Sequence, residues 1–527
     1  MTPRSVPNDR KSSRRQERTM NLGEMLAQTA KATPDKTAII FHDQRTSYRE
    51  FDERANQIAN GLIQLGIEPG DRVALYIHNL PIFMEAYYGI LRAGASVVPF
   101  NVLYKAGEVE YILNDSGAKA LLTFAPFAPV ALAAAANAPD LRHIIVAAPE
   151  PIQGATLWRD AFANAPTTAP NTTVQDEDVA VICYTSGTTG HPKGAMLTHR
   201  NLVSNCEQCS VIEKIATRPD DVIWLALPLF HIYAMNVGMN LTVLHGATIN
   251  LIERFDLTGS LAELQKNRCT VLYGAPPMFV GWAQVPTLKD YDLSTVRYIA
   301  SGAAALPVRI MELFESMAGV PISEGYGLTE ASPVVTSNAA GPVVKPGTVG
   351  PAIPGCEVKI VDEAGNEAPR GQMGEVICRG PNIMKGYWRQ PQATADALRD
   401  GWLHTGDLGT MDDDGYISIV DRIKDMINVS GYNVYPREVE ETLFKHPAVA
   451  DAAVVQYPDP YQGESVLAYV VLKQGASATE QEIIDYCRSE IAVFKCPRKV
   501  IFTDALPKNS TGKVLRRELR EKATQGV

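Results

Sequence analysis

The run Tyr184-Thr-Ser-Gly-Thr-Thr-Gly-His-Pro-Lys-Gly-Ala195 gathers hydroxyls and glycines and closes on one lysine, Lys193. Gly187 and Gly190 let backbone N–H groups approach phosphate oxygens, Ser186, Thr188 and Thr189 add hydroxyl donors, and Lys193 supplies a positive charge. Such a loop suits a polyphosphate. Its spacing is not the other common phosphate loop, G-x-x-x-x-G-K-[ST], because counting from Gly187 reaches Pro192 and from Gly190 reaches Ala195. Most Ser/Thr/Gly clusters are surface turns. Here the whole run follows the strand-like Val179-Ala-Val-Ile-Cys183, where a phosphate loop belongs.

More segments with chemistry-bearing side chains follow in order: Leu227-Pro-Leu-Phe-His-Ile-Tyr-Ala234, Ser301-Gly-Ala-Ala304, Glu324-Gly-Tyr-Gly-Leu-Thr-Glu330, Thr405-Gly-Asp407, Asp421-Arg-Ile-Lys-Asp425 and Pro507-Lys-Asn-Ser-Thr-Gly-Lys513. Taken singly, an Asp after Gly is commonly a turn residue and a Lys in Ser-Thr-Gly-Lys is commonly solvated. Together with T-S-G-T-T-G-x-P-K-G, the ordered set resembles the acyl-adenylate-forming (AMP-binding) superfamily of acyl-CoA synthetases, peptide-synthetase adenylation domains and luciferases. The resemblance runs from about Asn21 to about Leu519. It is strongest to bacterial medium- and long-chain fatty-acid–CoA ligases, with likeness to the 4-coumarate–CoA ligases.

That resemblance implies an ATP-dependent ligase that forms acyl-AMP and then acyl-CoA, releasing pyrophosphate and AMP. It also implies a role for each matching residue. Thr185, Ser186, Gly187, Thr188, Thr189, Gly190 and Lys193 would hold the β- and γ-phosphates. Thr329 would bond the α-phosphate and Glu330 would bind Mg²⁺, a hard cation that prefers oxygen ligands. Tyr326, within Glu324-Gly325-Tyr326-Gly327, would stack on adenine, bordered by Gly302, Ala303 and Ala304. Asp407 and Arg422 would grip the ribose, and Lys513 would reach from the lid to the α-phosphate and carboxylate.

His231 stands in an apolar run, where a lone histidine is more often a core residue than a catalyst. The resemblance places it between acyl pocket and thiol channel, as a gate or orienting group first and as the thiol's base second. Tyr233, Ala234, Val237 and Gly327 would form the acyl pocket. Arg254, Gly431 and Tyr432 would meet coenzyme A, and Lys424 would be the hinge. Asn428, Ser430 and Asn433 depart from the plant hydroxycinnamate ligases, which carry two lysines and a glutamine there.

These residues need a scaffold, and 527 residues exceed one ordinary core. Ser47-Tyr-Arg-Glu50 is a capping box opening an apolar-periodic helix that Gly66 ends. Asp71–Ile77 reads as a buried strand, Val109–Leu113 as helix, Ala118–Phe124 as strand, Leu261–Lys266 as helix and Val271–Tyr273 as strand. This alternation predicts an α/β fold: a large N-terminal domain of helix-covered parallel sheets, with a β-rich subdomain implied by the resemblance, binding ligands at the strands' carboxyl ends. After Gly415 the texture changes. Tyr416–Val420 is a strand, Pro436–Phe444 a helix, Ala450–Val455 and Leu467–Leu472 strands, and Glu480–Ile491 a helix. The expected division is a disordered basic tail at 1–20, an AMP-binding domain at 21–423, and a small, mobile α+β lid at 424–527.

A net charge of −10 argues against nucleic acid as a partner. Eight cysteines without a framework fit a reducing cytoplasm, and Cys206-Glu-Gln-Cys209 lacks the second pair a metal site would show. The uncharged stretch 120–138 is broken by Pro126 and Pro129, so it predicts soluble strand and helix rather than a membrane span. The tail's Arg4, Arg10, Lys11, Arg14, Arg15 and Arg18 leave no secretory apolar region. An organelle-targeting peptide or contact with an anionic membrane surface is the alternative reading of that tail.

Tyr233–Val243 has no charged side chain, so the acyl wall suits an apolar tail and offers nothing to a second carboxylate. Gly327 stands where acetate-specific relatives carry a pocket-closing tryptophan. A medium- or long-chain fatty acid is the leading substrate, and a hydroxycinnamate or other aryl acid the second. The rival classes are a carrier-protein loader, for which no carrier domain follows within the 527 residues, a light-emitting oxygenase, and an inactive nucleotide-binding protein, against which Glu330 and Lys513 speak.

Overall fold

Asn21 opens the first helix, Leu22–Ala32, by accepting the Glu24 N–H on its side chain while Glu24 takes the Asn21 N–H. The computed structural model describes residues 20–185, 192–302, 306–459, 463–509 and 512–524. The basic tail, and the phosphate-loop and adenine residues Ser186, Gly187, Thr188, Thr189, Gly190, Ala303 and Ala304, lie outside the described residues.

The expected capping box at Ser47 and Glu50 starts the helix Tyr48–Gln64, and Gly66 turns the chain beyond its end at φ +80°. Alternating strands and helices build two eight-stranded sheets. The first runs Thr156–Leu157, His143–Ala147, Ala120–Phe124, Arg72–Tyr76, Ser96–Pro99, Val179–Thr185, Lys193–Thr198, Gly386–Tyr387, and is parallel up to Val179–Thr185. The second has parallel inner strands, in the order Thr37–Phe41, Thr248–Leu251, Val222–Leu225, Val271–Gly274, Tyr298–Ser301 and Ile322–Gly327. Antiparallel Gln44–Ser47 and Val334–Ser337 close its two edges. Strands such as Arg72–Tyr76 read as unbroken apolar runs because helices cover both faces. One core runs through both sheets and their helices, from Leu22 to Leu403.

A five-stranded antiparallel sheet follows, built on Glu357–Val361, Gly374–Arg379, Trp402–Met411 and Ile417–Arg422 with a short Leu398–Arg399 edge. The last of these long strands extends to Arg422, past the expected end at Val420. Arg422 pairs across the sheet with Asp407, so the charge that reads as a strand stop is a cross-strand partner. After the single turn Ile423–Asp425, a small α+β unit has its own apolar cores, one around Ile427, Leu443, Val454 and Val470, the other around Leu467, Tyr469 and Leu519.

The uncharged stretch divides into the strand Ala120–Phe124 and the helix Ala128–Ala135. No helix among the described residues is long and apolar enough to cross a membrane. Cys206 and Cys209 are buried in the helix His199–Ser210, where burial pushes the Cys209 thiol up to about 12. Among the described residues no group of three or more His, Cys, Asp or Glu side chains could hold a metal.

Candidate active site

A cleft of about 1280 Å³ opens at the carboxyl ends of Val179–Thr185, Tyr298–Ser301 and Ile322–Gly327, with the small C-terminal unit forming its far side. Thr185 and Lys193 face each other across the antiparallel pair that the phosphate loop connects. The Lys193 ammonium sits 5.2 Å from the centroid of the Tyr387 ring, and the Tyr387 hydroxyl donates to Glu330 Oε1 at 2.8 Å. Met384 N–H donates to the Glu330 carbonyl at 2.8 Å, so backbone and side chain of this residue are both held. Tyr387 lines the cleft, and no sequence motif above includes it. Its only sequence signal is Gly386-Tyr-Trp388, and its importance comes from pairing Gly386–Tyr387 onto Lys193–Thr198.

The hairpin from Gly325 to Ser337 carries most of the remaining contacts. Tyr326 donates its hydroxyl to Asp407 Oδ2 at 2.6 Å, and Arg422 Nε reaches Asp407 Oδ1 at 3.0 Å. Both oxygens of this buried carboxylate are therefore oriented, and each keeps acceptor capacity. Thr329 and Glu330 lie on the single turn Thr329–Ala331 at the hairpin tip. Gly327 must be glycine at this approach: a Cβ there would lie 2.1 Å from the Pro333 carbonyl oxygen. Gly302 leaves room for an aromatic, since a Cβ would stand 2.9 Å from Tyr233 Cε1. Glu324 is set apart from these groups. It is buried outside the cleft wall and accepts the Leu306 N–H at 2.9 Å, and desolvation pushes its carboxyl up to about 7.

Cations gather on this cleft although the whole chain is acidic. Lys424, Lys513 and Arg422 all line it. Lys513 is open to the cleft yet surrounded by protein, which lowers its pKa to about 8, with Arg422, Arg516 and Lys424 adding repulsion against the attraction of Asp407. Lys424, in the turn Ile423–Asp425, is lowered to about 8, first by the same desolvation and then by Arg422.

The acyl side holds Phe230, His231, Tyr233, Val237, Pro333 and Val334. Burial lowers His231 to about 4, with Lys513 adding to the shift, so the ring is neutral at pH 7. Tyr233 N–H donates to His231 Nδ1 at 3.3 Å, which assigns the ring proton to Nε2. Tyr233 and Val237 lie on the π-helix Tyr233–Asn240, an element no periodicity in the sequence announces. Ala234, expected in the pocket, is fully buried behind the wall and does not line it. Arg254 is exposed away from the cleft, and Gly431 and Tyr432 form the exposed tip of the hairpin Ile427–Val434.

Helix-covered parallel sheets and a cationic cleft under a small α+β unit are features this chain shares with AMP-forming acid–CoA ligases. The AMP-binding enzyme profile matches residues 26–388 and the AMP-binding enzyme C-terminal domain matches 438–513, and the chain belongs to this family. It is 37% identical to a long-chain-fatty-acid–CoA ligase of Bacillus subtilis, covering 96% of this chain and 95% of the relative. It is also 37% identical to a feruloyl-CoA synthase of an Amycolatopsis species, over 96% and 99%. Two solved structures are similar across nearly their whole lengths. The anthranilate CoA ligase AuaEII with anthranoyl-AMP matches with TM-score 0.90 at 30% identity, over 96% of this chain and 98% of that one. ATP-bound MatB from Rhodopseudomonas palustris matches with TM-score 0.87 at 35% identity, over 95% and 99%.

Proposed function

We propose that this enzyme ligates a medium- or long-chain fatty acid to coenzyme A. The observation carrying the substrate reading is the acyl wall: Phe230, Tyr233, Val237, Pro333 and Val334 line the cleft and present no charge. An aryl acid is the second reading, supported by Tyr233, Tyr273 and Tyr298, whose rings meet edge to face at 6.0 and 6.5 Å along the same wall. Turnover of acids from acetate to oleate plus coumarate, read as kcat/KM with ATP and coenzyme A, decides between them. A maximum at eight or more carbons supports the first, and coumarate above every alkanoate replaces it with the second.

In the proposed reaction the substrate carboxylate, ionised at neutral pH, attacks the α-phosphorus and pyrophosphate leaves. The coenzyme A thiol gives up its proton to solvent, its sulfur attacks the acyl carbon, the C–S bond forms, and AMP leaves with the C–O electrons. Thr185 to Gly190 and Lys193 hold the β- and γ-phosphates, and Thr329 bonds the α-phosphate. Tyr326 and Gly302 to Ala304 border adenine, and Asp407 and Arg422 orient ribose. Lys513 brings a positive charge to the oxygens where negative charge gathers. Glu330 fits Mg²⁺, because Tyr387 occupies one carboxylate oxygen and leaves the other free, and this ion usually takes one or two carboxylates plus substrate phosphates. When bound, Mg²⁺ neutralises phosphate charge. His231, with its proton on Nε2, presents a donor and so orients the acyl group or thioester carbonyl rather than acting as base. Residues 424–527 act as the lid, turning about Lys424 to bring Gly431 and Tyr432 toward coenzyme A, with Arg254 at its nucleotide end.

A further inference from the structure

Five buried amide side chains sit behind the cleft, and none of them lines it. Asn205 and Gln208 come from the helix His199–Ser210, Asn236 and Asn240 from the π-helix Tyr233–Asn240, and Asn382 from the chain leading to Gly386–Tyr387. They converge on Ala331-Ser-Pro-Val334, which joins the turn bearing Thr329 and Glu330 to the edge strand Val334–Ser337. Ser332 holds φ +69°, a left-handed conformation that breaks the strand ladder. Its neighbours' carbonyls therefore need donors from elsewhere.

The amides supply them one by one. Asn382 Nδ2 donates to the Ala331 carbonyl at 2.9 Å and to that of Val334 at 3.3 Å. Asn236 Nδ2 donates to the Ser332 carbonyl at 2.6 Å. Asn205 grips Val334 as a neighbouring strand would, Nδ2 donating to its carbonyl at 2.9 Å and Oδ1 accepting its N–H at 3.1 Å. Gln208 relays between Asn205 and Asn382 at 3.2 and 3.3 Å. Asn240 donates to Asn236 Oδ1 at 2.9 Å and is itself held by Tyr87 and Tyr88 at 3.0 and 2.8 Å.

The segment so held reaches the cleft at both ends: Thr329 and Glu330, which the proposed reaction sets against the phosphates, and Pro333 and Val334, which it sets against the acyl group. We infer that Asn205 and Asn236 are positioning residues for acid selection: they set the Pro333–Val334 wall at a fixed distance from Thr329 and Glu330, and so choose the acyl group without touching it. A buried network whose amides are paired with the segment's backbone favours one arrangement of it; within the segment the buried Ser332 hydroxyl finds no partner among the described residues. The inference rests on the ligase reading above.

Its test uses the two best acids from the panel, so a wrong substrate class changes only the pair compared. Asn205→Asp keeps shape and the acceptor for Val334 N–H but turns the donor toward the Val334 carbonyl into an acceptor. It is expected to lower kcat/KM for the acids at least tenfold, change the ratio between the two at least threefold, and leave KM for ATP within twofold, below its measured Tm. Loss that is equal for both acids, tracking the folded fraction, overturns the inference. If Asn205→Asp does not fold, Gln208→Met decides, since it deletes the relay at nearly constant volume. A threefold change in the acid ratio supports the positioning role, and an unchanged ratio removes it.

Discussion

Lys513, which the proposed reaction places at the α-phosphate, lines the cleft, and its ionisation can be followed. Surrounding protein, then Arg422, Arg516 and Lys424, lower its pKa to about 8, so the ammonium exists below that pH and is lost as pH rises through it. The apparent kcat/KM for ATP, which reports the free enzyme, is expected to fall above about pH 8. That limb should vanish in Lys513→Arg, whose guanidinium stays charged, and persist in Lys424→Ala. A limb unchanged by Lys513→Arg would assign it elsewhere. Tyr387→Phe makes a second, smaller prediction. Losing the hydroxyl that holds Glu330 should slow pyrophosphate exchange roughly 5–10-fold, the equivalent of about one hydrogen bond, and raise the Mg²⁺ concentration needed for half-maximal rate. A loss with no change in Mg²⁺ dependence would detach Tyr387 from the metal.

At the scale of elements, the approach of the small C-terminal unit to the large one depends on a glycine. Gly512 holds φ +81°, and a Cβ there would lie 2.0 Å from Pro277 Cγ, on the helix Pro276–Trp282 of the large unit. Gly512→Ala is expected to lower pyrophosphate exchange at least tenfold, because the clash lies between units, and to lower Tm modestly, because the left-handed φ strains an alanine. Pro277→Ala in the same chain should return part of that loss, and an identical effect in both backgrounds would exclude the contact. The π-helix is the other decisive element. Its widened turns carry Tyr233 and Val237 to the cleft and Asn236 and Asn240 to the amide network behind it.

For the whole molecule, Lys513 and Gly431 mark two faces of the small unit. Lys513 lines the cleft, while Gly431, at φ +88° with open space where a Cβ would stand, and Tyr432, 60% exposed and 4.9 Å from the Phe494 ring, face away. This arrangement suits acyl-AMP formation, and the second half-reaction should need the other face. Lys513→Ala should cut acyl-adenylate formation by roughly 10²–10³ while sparing thioester formation from supplied acyl-AMP. Gly431→Trp should do the reverse. Equal loss of both half-reactions in each variant would end the two-face account.

What the sequence alone determined is local. The capping box at Ser47, unbroken apolar strands and the ordered motifs announce the helix-covered sheets, the strand before the phosphate loop and the Glu324–Glu330 segment at a strand end, because backbone geometry and burial periodicity act over a few residues; the antiparallel partners of both strands do not show. Only the tertiary structure decided which distant groups meet. Tyr387 reaches Glu330 across 57 residues, and Asn205 grips Val334 across 129, contacts no short-range pattern encodes. The same holds where expectation and structure part: Ala234 and Glu324 fall behind the wall and Arg254 outside it, since a motif names a residue while packing chooses the direction its side chain takes.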